Sequence, residues 1–140
     1  MVPTLWGRIQ TRIFLLATVG VVVTALITPV LPVDGPPAER YRTTFLVLAT
    51  VAVLGLGWEF VYHFLMQFRW EKDWPSMFGL LTLVPEGVLV WVLLPRIGLT
   101  PPLLAFAIHF VTVWLCVWLV ANGPMRVPFV RWRFRGGRLV

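Results

Sequence analysis

Four long apolar runs separated by short polar connections organise the chain: about Ile13 to Leu31, Thr44 to Met66, Met77 to Leu94, and Leu103 to Val120. At about 1.5 Å of rise per residue, a helix of each length crosses about 30 Å of hydrocarbon. The pattern predicts an all-α, polytopic membrane protein of one domain, with spans at about 13–31, 44–66, 77–94 and 103–120 and a basic tail at 124–140. The connections carry turn chemistry. Asp34-Gly35-Pro36-Pro37 breaks the chain after the first run, and Thr43 or Thr44 suits the N-cap of the second helix. Thr100-Pro101 suits an N-cap and first-turn pair for the fourth. The connection Arg69 to Ser76 mixes charge signs between Trp70 and Trp74, which predicts a segment lying flat in the headgroup zone. Loops this short make neighbouring helices antiparallel, hence an up-down four-helix bundle.

Polar and small residues interrupt the runs at few places. Ala17, Gly20 and Thr24 recur at helical spacing and give the first helix a narrow packing face. Within the third run, Glu86 stands between Pro85 and Gly87. Pro85 cannot donate to the carbonyl of Leu81, which predicts a kink, and Gly87 allows a neighbour to approach closely. A carboxylate inside a membrane needs a partner, a proton or a purpose. Glu59, His63 and His109 also fall inside the runs. Counting residues from the end of each span puts His63 at a depth of about 5 Å, Glu59 at about 10 Å, Glu86 at about 13 Å and His109 at about 16 Å. Glu59, Glu86 and His109 then share one central slab. Glu59 and His63, four residues apart, share a helical face with Ala52 and Gly55.

Composition agrees with a bilayer: 59% of the 140 residues are hydrophobic and 13% are charged. Twelve basic against six acidic residues leave a net charge of +6. With both termini inside, nine basic residues (Arg8, Arg12, Arg69, Lys72, Arg126, Arg131, Arg133, Arg135 and Arg138) face the cytoplasm, and three (Arg40, Arg42 and Arg96) face out. That bias predicts a bacterial cytoplasmic membrane protein, N-in and C-in. The first run exceeds a typical signal-peptide core and has no small-x-small cleavage site after it, so it is expected to stay as a helix. The lone Cys116 forms no internal disulfide.

The ionisable cluster admits two functions. Glu59, Glu86 and His109, with His63 at the inner mouth, would form a proton or cation path, since groups at graded depths suit a relay. Alternatively they hydrogen-bond to one another and lock the helices. No metal site is expected, because Glu59-x3-His63 occurs once where a di-iron centre needs two Glu-x-x-His motifs. Haem between His63 and His109 is set aside because their depths differ by about 11 Å, so no cofactor is expected. No phosphate loop, nucleophile elbow or cysteine pair suggests catalysis; a lipid-modifying enzyme is the distant reading. In the tail, Arg126, Arg131, Trp132, Arg133, Arg135 and Arg138 are expected to contact anionic lipid or an acidic partner rather than nucleic acid. Taken together, the sequence points to a non-enzymatic subunit or scaffold that assembles as a homo-oligomer or within a larger membrane complex, with an oligomeric channel as the alternative.

Overall fold

The computed structural model describes residues 2–140. Four helices are long and apolar enough to cross a membrane: α1 (Leu5–Val30), α2 (Pro37–Met66), α3 (Ser76–Ile97) and α4 (Leu103–Arg126). A short helix, α5 (Val130–Phe134), follows. No strand occurs among the described residues.

The helix boundaries differ from expectation where charge or proline misled the reading. Helix α1 starts at Leu5, where the Thr4 side chain accepts a hydrogen bond from the Gly7 amide at 3.1 Å. Arg8 and Arg12 therefore belong to the helix rather than to a flanking segment. Helix α2 starts at Pro37, whose fixed φ suits a first turn and whose missing N–H costs nothing there. Thr43 and Thr44 lie inside this helix and cap nothing. Helix α4 starts at Leu103, so Thr100 lies outside it as well. Helix α3 ends at a left-handed Gly98 (φ 81°), with the Leu99 amide donating to the Leu94 carbonyl at 3.0 Å and the Gly98 amide to Pro95 at 3.1 Å. Only glycine adopts that φ cheaply.

Two irregularities set which side chains face inward. Around Pro85, α3 divides into Ser76–Leu81 and Leu83–Leu93, with Thr82 at the break. Pro85 has no N–H for the Leu81 carbonyl one turn earlier, and beside that carbonyl the Thr82 hydroxyl donates to the Gly79 carbonyl at 2.9 Å. In α1, Leu16–Gly20 forms a π turn. A four-residue step in an α-helix overshoots a full turn by about 40°. A wider turn slows that rotation, so Arg8, Arg12, Leu16, Gly20, Thr24 and Thr28 stay on the inner side along the whole helix. Gly20 and Thr24 are buried as a packing face requires, but Ala17 is exposed.

The core consists of Leu16 from α1, Val47, Leu48 and Val51 from α2, Val90 and Leu94 from α3, and Phe106, Phe110 and Val113 from α4. Outward positions are apolar too: Leu26 is 72% exposed and Val53 68%. The buried polar groups are Thr24, Thr28, Thr44, Glu59, Glu86 and His109. A bundle with apolar faces outside and carboxylates inside matches hydrocarbon, not water, as its surroundings.

The tail does not lie apart from the bundle. The Thr4 amide donates to the Gly136 carbonyl at 2.8 Å, the Thr11 hydroxyl to the Gly137 carbonyl at 3.0 Å, and the Leu139 amide to Gln10 Oε1 at 2.9 Å. A Cβ on Gly7 would collide with the Gly136 carbonyl oxygen, so glycine is what permits this contact. Trp132, expected beside lipid, turns inward: it is 6% exposed, packs with Leu15 and Met125, and donates its indole N–H to Thr11 Oγ1 at 2.7 Å.

Candidate functional site

The helix geometry brings four charged side chains from three helices together near the end of the bundle that holds both termini. Arg8 and Arg12 sit one turn apart on α1. Arg8 donates from Nε to Glu59 Oε2 of α2 at 2.7 Å, and Arg12 from Nε to Glu59 Oε1 at 2.6 Å. The two terminal nitrogens of Arg12 reach Glu86 of α3 as a fork, Nη1 to Oε2 at 2.8 Å and Nη2 to Oε1 at 2.9 Å. Every carboxylate oxygen of Glu59 and Glu86 thus receives a guanidinium N–H. Two positive and two negative formal charges cancel. The side chains are 8% (Arg8), 13% (Arg12), 7% (Glu59) and 2% (Glu86) exposed, so the pairs are shielded from water and held by planar forks suited to carboxylates.

Neighbours hold the guanidinium groups in place. Arg8 Cζ lies 5.0 Å from the Trp74 ring centroid and 6.0 Å from that of Tyr62; Arg12 Cζ lies 5.8 Å from that of Trp114. Cations over indole faces gain further attraction, most when desolvated. Trp74, half-buried, packs tilted against Tyr62 and edge-on against Phe78; Trp70, at 99% exposure, is the outward tryptophan of that loop. Gly55 makes the crossing possible: a Cβ there would sit 2.5 Å from Arg12 Nη1 and 2.9 Å from its Cδ.

The predicted cluster is partly assembled. Glu59 and Glu86 meet through Arg12, not through each other. His109 hydrogen-bonds Thr24 at 2.9 Å between Nε2 and Oγ1 and touches neither carboxylate. His63 stands half-buried beside the inward stripe of α2, its Nδ1 without a partner among the described residues. Gly87 packs on the Phe110 ring, where a Cβ would come within 2.9 Å of Cε1. No three His, Cys, Asp or Glu side chains gather as a metal site among the described residues. Of the tail residues, Arg131, Arg133, Arg135 and Arg138 are exposed. Arg126, also exposed, donates from Nη2 to Asn122 Oδ1 at 2.8 Å.

Arg8 and Arg12 are the residues that sequence reasoning missed as site members, having assigned them to the membrane surface. The signal was present: stepping back four residues at a time from Thr24 and Gly20 reaches Leu16, Arg12 and Arg8 on the small-residue face.

Beside the network lies a cavity of about 250 Å³. Arg8, Arg12 and Glu59 form one side of it, and His109 reaches it from deeper in the bundle. The walls are largely apolar and aromatic, among them Leu16, Val113, Trp114, Val117 and Trp118, and Trp132 and Gly137 of the tail complete the lining. Trp118 and Trp114 are fixed by indole N–H donation to the carbonyls of Ser76 (2.8 Å) and Gly79 (3.3 Å) on α3. No family model matches this chain, and no curated protein or solved structure gives a significant match.

Proposed function

We propose that this chain is a non-enzymatic, multi-pass protein of a bacterial cytoplasmic membrane, an up-down bundle with both termini in the cytoplasm that serves as a subunit or scaffold in a homo-oligomer or larger complex. The observation that carries the reading is Arg12 holding Glu59 and Glu86 at once. A proton carrier needs a carboxylate free to take up and release its proton. Here each oxygen is engaged by a guanidinium, a group that does not deprotonate in proteins. The network therefore acts as a clasp across α1, α2 and α3. The orientation rests on the basic residues left outside the clasp: seven (Arg69, Lys72, Arg126, Arg131, Arg133, Arg135 and Arg138) against Arg40, Arg42 and Arg96. The exposed tail arginines suit anionic headgroups on that side.

A transport reading draws on one observation, that His109 and Glu59 line the same cavity. Two measurements separate the readings. Native mass spectrometry of protein taken from membranes in mild detergent is expected to give a defined oligomer or stoichiometric partner chains. Proton flux into liposomes is expected to be absent, or no different in Glu86→Gln. A solitary monomer whose proton flux disappears in Glu86→Gln would overturn the scaffold reading in favour of transport.

A further inference from the structure

We propose that the cavity beside the clasp binds a single-chain amphiphile bearing one negative charge, a long-chain carboxylate, with its head on Arg8 and its chain running toward Leu16 and Val113. This goes beyond the scaffold reading and holds whether the bundle works alone or as a subunit.

Three observations carry it. First, a half-open space of about 250 Å³ exceeds the engineered cavity of about 150 Å³ that is enough to bind a benzene. Second, Arg8 lines that space with an 8% exposed side chain, yet only its Nε is engaged. Neither Nη nitrogen has a hydrogen-bond partner among the described residues. These donors open onto the cavity, and a carboxylate matches the unused fork. Third, the charges count to one anion. Arg8, Arg12 and Arg126 line the cavity with Glu59, and Glu86 pairs with Arg12 behind it, which leaves one positive charge; Arg8 has only a share of Glu59, which it divides with Arg12.

The apolar walls decide the rest of the ligand. A free inorganic anion would leave Leu16, Val113 and Val117 facing an empty space. A two-chain phospholipid is larger than the drug-sized molecules that fill pockets of about 300–1,000 Å³. The first part of a single chain, roughly ten carbons by the benzene comparison, fits, and the rest leaves by the open side. Its direction matches a lipid in its leaflet, since Arg8 and Arg126 sit toward the terminal end while Leu16 lies eight residues, or about 12 Å, further into α1. Trp132 and Gly137 form part of the wall, so the docked tail shapes the pocket as well as the surface.

The test uses the full chain in phosphatidylcholine nanodiscs at alkaline pH, where a fatty acid is ionised. Palmitate brominated along its chain quenches tryptophan, and Trp114 and Trp118 line the cavity. Saturable quenching at one ligand per chain is expected, with brominated hexadecanol about tenfold weaker for want of the charge-assisted hydrogen bonds and no competition from inorganic phosphate. Val117→Trp, which fills the cavity and leaves the clasp intact, should abolish saturable binding. Arg8→Gln should weaken it about tenfold; if that variant does not fold, Val117→Trp decides. Quenching that rises linearly with ligand, equal affinity for acid and alcohol, displacement by phosphate, or unchanged binding in Val117→Trp would each overturn the proposal.

Discussion

The two ends of the bundle are held by different chemistry. At the terminal end, α1 meets α2 and α3 through ion pairs among Arg8, Arg12, Glu59 and Glu86. At the other end the same face of α1 offers Thr24 and Thr28, which reach His109 at 2.9 Å and the Thr44 hydroxyl at 2.8 Å. The charged end borders a half-open cavity of about 250 Å³, while the space beside the hydroxyl ladder measures about 10 Å³. Threonines are small and let helices close up. Arginines need length, aromatic support and a glycine opposite them, and they leave room. One helical stripe thus yields a tight half and a hollow half, according to which residue occupies every fourth position.

Breaking the charged end should have the largest effect. Arg12→Gln leaves Glu86 with no cationic partner and Glu59 with Arg8 alone, and removing one partner of a buried ion pair typically destabilises by about 3–5 kcal/mol. Denaturation by sodium dodecyl sulfate in mixed micelles, followed by tryptophan fluorescence, reads this loss. If Arg12→Gln unfolds no earlier than a Thr24 variant, the contrast between the ends fails. The double variant Arg12→Met, Glu86→Leu should recover part of the loss, because the charge left buried on Glu86 is then gone.

An intermediate effect is expected at the glycine facing the clasp. Gly55→Ala puts a Cβ 2.5 Å from Arg12 Nη1, and the guanidinium is pinned on both sides. Overpacking of this kind costs about 1–3 kcal/mol, measured by the same titration. Gly57→Ala, with nothing within 4 Å, serves as the reference and should change little.

The smallest effect belongs to the neutral end. Thr24→Val removes the partner of His109 Nε2, and hydrogen bonds between helices in a membrane average about 0.6 kcal/mol. A loss as large as that of Arg12→Gln would mean the hydroxyl ladder, not the clasp, holds the bundle.

Fold class was legible in the sequence because apolar length alone forces helices in hydrocarbon: all four spans occur where the runs do. Their ends were harder to read. Arg8 and Arg12 look like surface charges when hydropathy is averaged, since the average cannot see that their partners lie 47 to 74 residues away. Glu59 and Glu86 stood out for their cost in hydrocarbon, but a cost does not name what offsets it. His109 shared their depth estimate, yet depth is one coordinate, and rotation about α4 turns it toward Thr24 instead. The general preference of tryptophan for headgroups says nothing of the specific partners that Trp132 and Trp74 have here, the Thr11 hydroxyl for one and the Arg8 guanidinium for the other.

The separation of the clasp along the chain has a consequence for biogenesis. Translation delivers Arg12 first, Glu59 after 47 residues and Glu86 after 74. At about 5–20 residues per second, the first helix waits roughly 4–15 s for its last counter-charge. Until Glu59 arrives both guanidinium groups lack a carboxylate, and until Glu86 arrives Arg8 and Arg12 share Glu59 alone. The arrival of α3 supplies the last carboxylate, so the order of synthesis is the order in which the charges of the clasp find their partners.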